Sequence, residues 1–350
     1  MNKKFIILTA SYGSGNNAAK DGIKNYLQES GNKVLVIDLV KFMNEGGKSS
    51  ELFYRFSSES IPILWQITFI IINSKIFNIL FKYYLVLLYS EKFNKIVYDY
   101  KPDYIIGTYP CWQSLVGGYI NKFKKTFNFG VFITDATISL QRYFDDKYID
   151  KFFVIDYKTK EILAQKLVNR NNDIVSSFFP IEPRYFFEKN ELKNNHICIL
   201  LSGLKNNFLF TFLSKLNNED FYKRITIIKG RNEKVYNKLK IKFENKKFIF
   251  QDFINIKEEL KNIDIFISKP GGALISECIA QSVYFISPFY IAGQEKGNVD
   301  LIERNDIGFY SKDINKIIDF LKNKYKHIDI NNFNKIKNKD SIKYIIESLF

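Results

Sequence analysis

Short apolar runs alternate with amphipathic stretches along most of the chain. In the first half the runs cover residues 5–10, 34–38, 104–107, 129–134 and 152–155. In the second half they cover 196–202, 225–229, 248–250, 263–268 and 283–287. Runs of β-branched and aromatic residues set between helical patterns predict buried parallel strands. The pattern starts afresh near residue 196. Before it lie Phe179-Pro180-Ile181-Glu182-Pro183, which reads as a hinge, and a polar linker over 189–195. The expected architecture is α/β, with two doubly wound, Rossmann-like domains (1–188 and 189–350) facing a cleft. Ligands are expected near the carboxyl ends of the strands. Residues 314–350 read as Lys- and Asn-rich helices, the last of them packing back on the first domain.

One segment breaks the alternation. Residues 60–90 hold Ile63-Leu64-Trp65-Gln66-Ile67-Thr68-Phe69-Ile70-Ile71-Ile72 and, after Lys75 and Lys82, Tyr83-Tyr84-Leu85-Val86-Leu87-Leu88-Tyr89. The uncharged part is shorter than the roughly 20 residues of a membrane span. Its aromatic and cationic mixture suits helices lying at a membrane interface. A pair of helices packed on their own domain is the plainer alternative.

Composition narrows the chemistry. Three cysteines with no CxxC spacing, and two histidines, argue against a disulfide framework and against a zinc or other imidazole-built metal site. No secretory leader is visible, since the first apolar run leads directly into a glycine loop. The expected setting is cytoplasmic. The formal charge of +15 attracts anionic surfaces, although lysine is abundant along the whole chain. Nucleic acid is not an expected partner, because there is neither a recognition motif nor an arginine cluster.

The richest motif is Ser268-Lys269-Pro270-Gly271-Gly272-Ala273-Leu274-Ile275-Ser276-Glu277, followed by Gly293-Gln294-Glu295. An apolar run, a glycine turn and a helical pattern together place free backbone N–H groups at a helix N-terminus, where anions bind. Glu277 stands further along that helix and can accept from ribose hydroxyls. Gln294 and Glu295 suit sugar hydroxyls. Phosphate, ribose and sugar ligands in this order indicate a nucleotide-sugar site. A second glycine loop, Ser11-Tyr12-Gly13-Ser14-Gly15-Asn16, opens the first helix; such a loop alone is a weak signal. Ser202, Gly203 and Lys205 form a possible third phosphate contact. Trp112, after Tyr109-Pro110-Cys111, reads equally as the wall of an acceptor pocket or as a packed core indole.

These residues resemble, in kind and order, glycosyltransferase family 28. The blocks that carry the likeness are 11–19, Lys101-Pro102-Asp103, Thr134-Asp135, Pro180-Ile181, 269–277 and Gly293-Gln294-Glu295. The likeness spans about residues 3–310. It is greatest to diacylglycerol glucosyltransferases and monogalactosyldiacylglycerol synthases, and more distant to the peptidoglycan transferase MurG. The resemblance implies the GT-B fold and inverting transfer of a hexose from a UDP-sugar to a membrane lipid, diacylglycerol or a glycosyldiacylglycerol, by a peripheral protein at the cytoplasmic face of the cell membrane. It implies no metal or other cofactor. Carried over, Gly271 and Gly272 would hold the diphosphate, Glu277 the ribose, and Gln294 and Glu295 the sugar; Gly13, Gly15, Ser202, Gly203 and Lys269 are further candidate donor-binding residues, although relatives often have more glycines in the loop over 201–205. Trp65, Phe69, Tyr83, Tyr84 and Trp112 would face membrane or acceptor.

Two departures bear on catalysis. The family's first loop ends in a histidine where this chain has Asn16, and its Thr-Asp segment carries another where this chain has Ser139. An attacking hydroxyl must lose a proton, which a carboxylate or imidazole can take and an amide cannot. Asp135 is therefore the expected base, with Asn16 orienting the acceptor or a phosphate. Two rivals remain: a catalytically impaired UDP-sugar-binding homologue acting as a scaffold, and a UDP-N-acetylglucosamine 2-epimerase.

Overall fold

The computed structural model describes residues 2–60, 62–136, 147–167, 173–189, 191–192, 195–230, 232–245 and 247–350. Ser139 lies outside them. The chain divides into two units. The first is Met1–Glu182 with Ala292–Gln294 and Asn338–Phe350; the second is Pro183–Ile291 with Glu295–Lys337. The first division falls within the proline-rich stretch read as a hinge, six residues ahead of the boundary set at 188/189.

The first unit is built on β1 (Lys4–Thr9), β2 (Lys33–Asp38), β3 (Tyr104–Gly107), β4 (Asn128–Phe132), β5 (Lys151–Val154) and β6 (Ile174–Ser176). All pair in parallel, in the order β2-β1-β3-β4-β5-β6. Phe5, Ile6, Ile7 and Leu8 are all fully buried. Side chains on both faces of β1 are thus covered, which explains an unbroken apolar run instead of alternation. The helices are α1 (Ser14–Glu29), α2 (Leu39–Phe42), α3 (Glu45–Ser60), α4 (Pro62–Asn73), α5 (Lys75–Tyr100), α6 (Cys111–Lys122) and α7 (Tyr157–Lys166). The apolar segment forms α4 and α5. Ser74 caps α5 by accepting from Phe77 N at 3.2 Å. Lys101, left-handed at φ 51° and followed by Pro102, ends it.

The second unit carries β7 (His196–Leu200), β8 (Arg224–Ile228), β9 (Phe248–Gln251), β10 (Ile265–Ile267), β11 (Tyr284–Ser287) and β12 (Gly308–Tyr310). They too are parallel, in the order β12-β11-β10-β7-β8-β9. Its helices are α8 (Asn206–Asn217), α9 (Glu233–Phe243), α10 (Ile256–Glu259), α11 (Gly272–Ala280), α12 (Lys296–Arg304), α13 (Ile314–Asn323) and α14 (Asn331–Asn334). His196 is buried between Asn262 O, 3.0 Å away, and Thr226 Oγ1, 2.8 Å away. Burial pushes its pKa down to about 4. It is a structural histidine. The last helix, α15 (Ser341–Glu347), is part of the first unit. There Ser341 Oγ donates to Phe179 O at 3.0 Å, and Asn128 Nδ2 donates to Leu349 O at 3.1 Å.

Each sheet has one switch point where the winding reverses, between β1 and β3 in the first and between β7 and β10 in the second. Loops leaving the carboxyl ends of strands at such points form ligand crevices. The glycine loop at 11–16 leaves β1. The Pro-Gly-Gly turn leaves β10, and the 201–205 loop leaves β7.

Candidate active site

In the second unit, β10 runs through Ser268-Lys269-Pro270 into α11, whose N-cap is Gly271 at φ −69°, ψ 139°. No side chain caps this helix, so its first amides stay open to a ligand. Any residue could adopt the Gly271 backbone, and a Cβ added there would meet nothing within 4 Å. Neither turn geometry nor crowding therefore demands glycine. What its absence of a side chain preserves is open space over the helix N-terminus.

The loop from β7 lies beside this turn. Gly203, at φ +79°, needs the left-handed freedom of glycine, and a Cβ there would come 2.5 Å from Lys269 Cδ. The Lys269 stem therefore crosses directly over Gly203. Its ammonium pairs with Glu295 Oε1 at 2.6 Å. Ser202 packs over Gly230, where an added Cβ would meet the serine hydroxyl. Ser202, Gly203, Lys269, Gly271, Gly272 and Glu295 are thus brought together.

Glu277 lies further along α11 and is 9% exposed. Burial pushes its carboxyl up to about 7, against the pull of Lys257, whose Nζ is 3.9 Å from Oε1. Lys257 also lies over the ring of Tyr185, 5.4 Å from its centre. A carboxyl that titrates near neutrality can accept hydrogen bonds from paired hydroxyls once ionised. Glu295 is 2% exposed. Both its oxygens are engaged, Oε1 by Lys269 and Oε2 by Ile291 N at 2.8 Å. The carboxylate that the motif assigns to the sugar is turned inward as an internal brace. Neither sequence pattern nor spacing pointed to this, nor to Asn298. That side chain is fully buried on the first turn of α12 and donates to Pro270 O at 2.9 Å.

In the first unit, α1 begins at Ser14, with Gly13 as N-cap and no side-chain cap. Added Cβ atoms at Gly13 and Gly15 would again meet nothing within 4 Å. Asn16, in the first turn, accepts from Thr134 Oγ1 at 3.2 Å and reaches Ala10 O at 3.5 Å. Its own backbone carbonyl accepts from Thr108 Oγ1 at 3.3 Å. The amide therefore ties the first loop to the end of β4, next to the half-buried Asp135. Of the two residues named for catalysis, Asn16 thus bonds the immediate neighbour of Asp135 in the chain. Around the loop, Tyr12 stacks on Tyr109 at 5.1 Å and Ser11 Oγ donates to Asp38 Oδ2 at 2.5 Å. Burial raises the Tyr12 pKa to about 12, so the phenol stays protonated. Ala292–Gln294 group with this unit. Here Gln294 Oε1 accepts from Tyr54 Oη at 3.4 Å.

The aromatic residues named for membrane or acceptor separate into two sets. Tyr83 and Tyr84 are exposed, together with Ile63, Ile67, Ile70, Ile71, Leu80 and Leu87 of α4 and α5. Trp65 is buried against Tyr54 and Phe69. Trp112 is fully buried, donates Nε1 to Thr9 O at 2.7 Å, and lies 5.2 Å from the Phe42 ring. It is a core indole and not the wall of an acceptor pocket. No described single helix is long and apolar enough to cross a membrane; α4 and α5 form a pair bent by 76°.

The sequence profile of the monogalactosyldiacylglycerol synthase family matches residues 16–181. A processive diacylglycerol β-glucosyltransferase of Bacillus subtilis is 26% identical over 324 residues, covering 86% of this chain and 81% of that protein. The chloroplastic monogalactosyldiacylglycerol synthase 2 of Arabidopsis thaliana is 23% identical over 341 residues, covering 89% and 71%. Among solved structures, MurG of Acinetobacter baumannii superposes with a TM-score of 0.65 at 12% identity over 99% of both chains. The resemblance carried by the motifs therefore holds for both sequence and fold. The chain is a homologue of glycosyltransferases, and its two parallel sheets are those of the GT-B fold.

Proposed function

We propose that the protein transfers a hexose from a UDP-sugar to a diacylglycerol-type lipid at a membrane surface, with inversion at the anomeric carbon. The observation that carries this reading is the uncapped α11 N-terminus at Gly271, kept open by a glycine that the fold does not require. The relatedness to lipid glycosyltransferases supports the acceptor class.

In this mechanism the diphosphate of the donor rests on the amides at Gly271 and Gly272. As the glycosidic bond to the leaving UDP breaks, charge grows on the phosphate. Amides already aimed at that position stabilise it without reorganising. Ionised Glu277 accepts from the ribose hydroxyls. Gln294 is the proposed acceptor and donor for the hexose hydroxyls. Asp135 takes the proton of the attacking lipid hydroxyl, and Asn16 orients that hydroxyl while held by Thr134. Water exclusion at the loaded site limits donor hydrolysis. No metal or cofactor enters the proposed reaction. The exposed apolar residues of α4 and α5, interspersed with Lys75 and Lys82, rest on an anionic bilayer from which the acceptor is drawn. This places the protein peripherally on a membrane, at the cytoplasmic face by analogy with the resemblance.

The test is transfer from UDP-glucose and UDP-galactose to diacylglycerol and glycosyldiacylglycerol in anionic vesicles. Labelled glycolipid with inverted anomeric configuration supports the proposal. UDP binding without turnover on any lipid would favour the scaffold reading, which Asn16 in place of the family's histidine motivates. Interconversion of UDP-N-acetylhexosamines without lipid would favour the epimerase.

A further inference from the structure

We infer that Glu295 acts on the donor through Lys269, as a positioning residue, and not as a direct ligand of the transferred sugar. The inference rests on the donor site proposed above and concerns how that site is held. Glu295 is the N-cap residue of α12, and its buried carboxylate spans two attachments. Oε1 takes the Lys269 ammonium at 2.6 Å, and Oε2 takes the Ile291 amide at 2.8 Å. One turn on, Asn298 donates to Pro270 O at 2.9 Å. The first turn of α12 therefore grips two successive residues, Lys269 and Pro270, immediately ahead of Gly271.

The Lys269 stem, fixed at its far end by Glu295, lies over Gly203. That glycine belongs to the loop leaving β7, across the switch point. One ion pair thus sets the spacing of the two strand-end loops between which a diphosphate would sit. A carboxylate with a partner on each oxygen and only 2% exposure offers a hexose almost no accessible surface, and turning it toward one would cost a charge-assisted bond. Such bonds are among the stronger ones in proteins.

A positioning role and a sugar-ligand role differ in what they do to UDP, which has no sugar. Calorimetry on the full chain would measure UDP and UDP-glucose against wild type, Glu295→Gln, Glu295→Asp, Lys269→Met and the Lys269→Met/Glu295→Gln double variant. The expected result is that Glu295→Gln weakens UDP and UDP-glucose by the same factor, about tenfold, as for loss of a hydrogen bond to a charged group. Glu295→Asp, which keeps the charge, recovers part of that loss. The double variant binds no more weakly than Lys269→Met alone, since both substitutions break one link. In the transfer assay, Glu295→Gln raises donor KM by the same factor and leaves acceptor KM unchanged.

If Glu295→Gln weakens UDP-glucose alone, Glu295 is a sugar ligand and the inference falls. Additive losses in the double variant, or tighter UDP binding by Glu295→Gln, overturn it equally. Failure of the wild type to bind UDP at all is a different outcome. It removes the donor site itself, and this inference with it.

Discussion

Replacing Glu277 by glutamine should make the second unit more stable while damaging nucleotide binding. The side chain is 9% exposed, and burial lifts its carboxyl from 4.5 to about 7. Between those two pH values the folded chain holds a proton that the unfolded chain releases. Stability from this group is therefore fully present below pH 4.5 and is lost as pH rises through about 7. The span of about 2.5 pH units, at 1.36 kcal/mol each, makes the ionised carboxylate cost about 3 kcal/mol at pH 8.5. Glutamine has nearly the same shape and never ionises. The Glu277→Gln variant should therefore exceed wild type by about 2–3 kcal/mol at pH 8.5, and by less than about 1 kcal/mol at pH 5.

For a unit of roughly 150 residues, a gain of 2–3 kcal/mol raises Tm by about 4–12 °C. Thermal melts and urea titrations of the second unit's transition, run from pH 5 to 8.5, would measure it. The same variant should bind UDP at least about tenfold more weakly at pH 8.5, having lost a charged acceptor for the ribose. Wild-type affinity should itself decline as pH falls below about 7, because the neutral carboxyl accepts poorly. A variant less stable than wild type at pH 8.5, or a stability difference that does not vary with pH, would refute the reasoning. The Lys257 pair would then outweigh the cost of burial.

Two further outcomes are expected. Asp135→Asn should lower transfer by about 10²–10⁴-fold, as removal of a general base does, with UDP affinity unchanged by calorimetry; full activity would move the proton to another group. Exchanging Ile70 and Leu87 for serine should reduce binding to anionic vesicles at least about tenfold, from a cost of about 0.8 kcal/mol per methylene withdrawn from lipid. Because both side chains are exposed, the melt should not move. Unchanged vesicle sedimentation would exclude α4 and α5 as the contact.

Ten of the twelve described strands were legible as apolar runs; eight of these are central parallel strands, which carry little polar interruption because both faces are covered. The two that escaped, β6 at Ile174–Ser176 and β12 at Gly308–Tyr310, are three-residue strands at sheet edges. Their signal is too short to separate from loop. The Pro-Gly-Gly turn could be read because strand, glycine turn and helix pattern follow one another without a break. Glu295 could be located but not oriented: a carboxylate two residues after a glycine is equally suited to a hydroxyl or to a lysine 26 residues earlier, and only the fold brings Lys269 to it. Asn298 gave no signal, since a buried asparagine on a helix is indistinguishable by pattern from an exposed one. Trp112 shows the same limit. Its position after a strand fitted a pocket wall, but the Thr9 carbonyl offered its indole N–H a partner inside the core.

The central claim is that the open N-terminus of α11 holds a nucleotide diphosphate, and Gly271→Val tests it most directly. Valine suits the extended backbone there, and a Cβ meets no neighbour, so the fold should be kept. Stability by thermal melt should fall by no more than about 1 kcal/mol, the usual loss when an N-cap residue is replaced by an apolar one, with UDP binding by calorimetry weakened at least about tenfold by the branched side chain filling the ligand's approach. UDP bound by Gly271→Val as tightly as by wild type would contradict the claim.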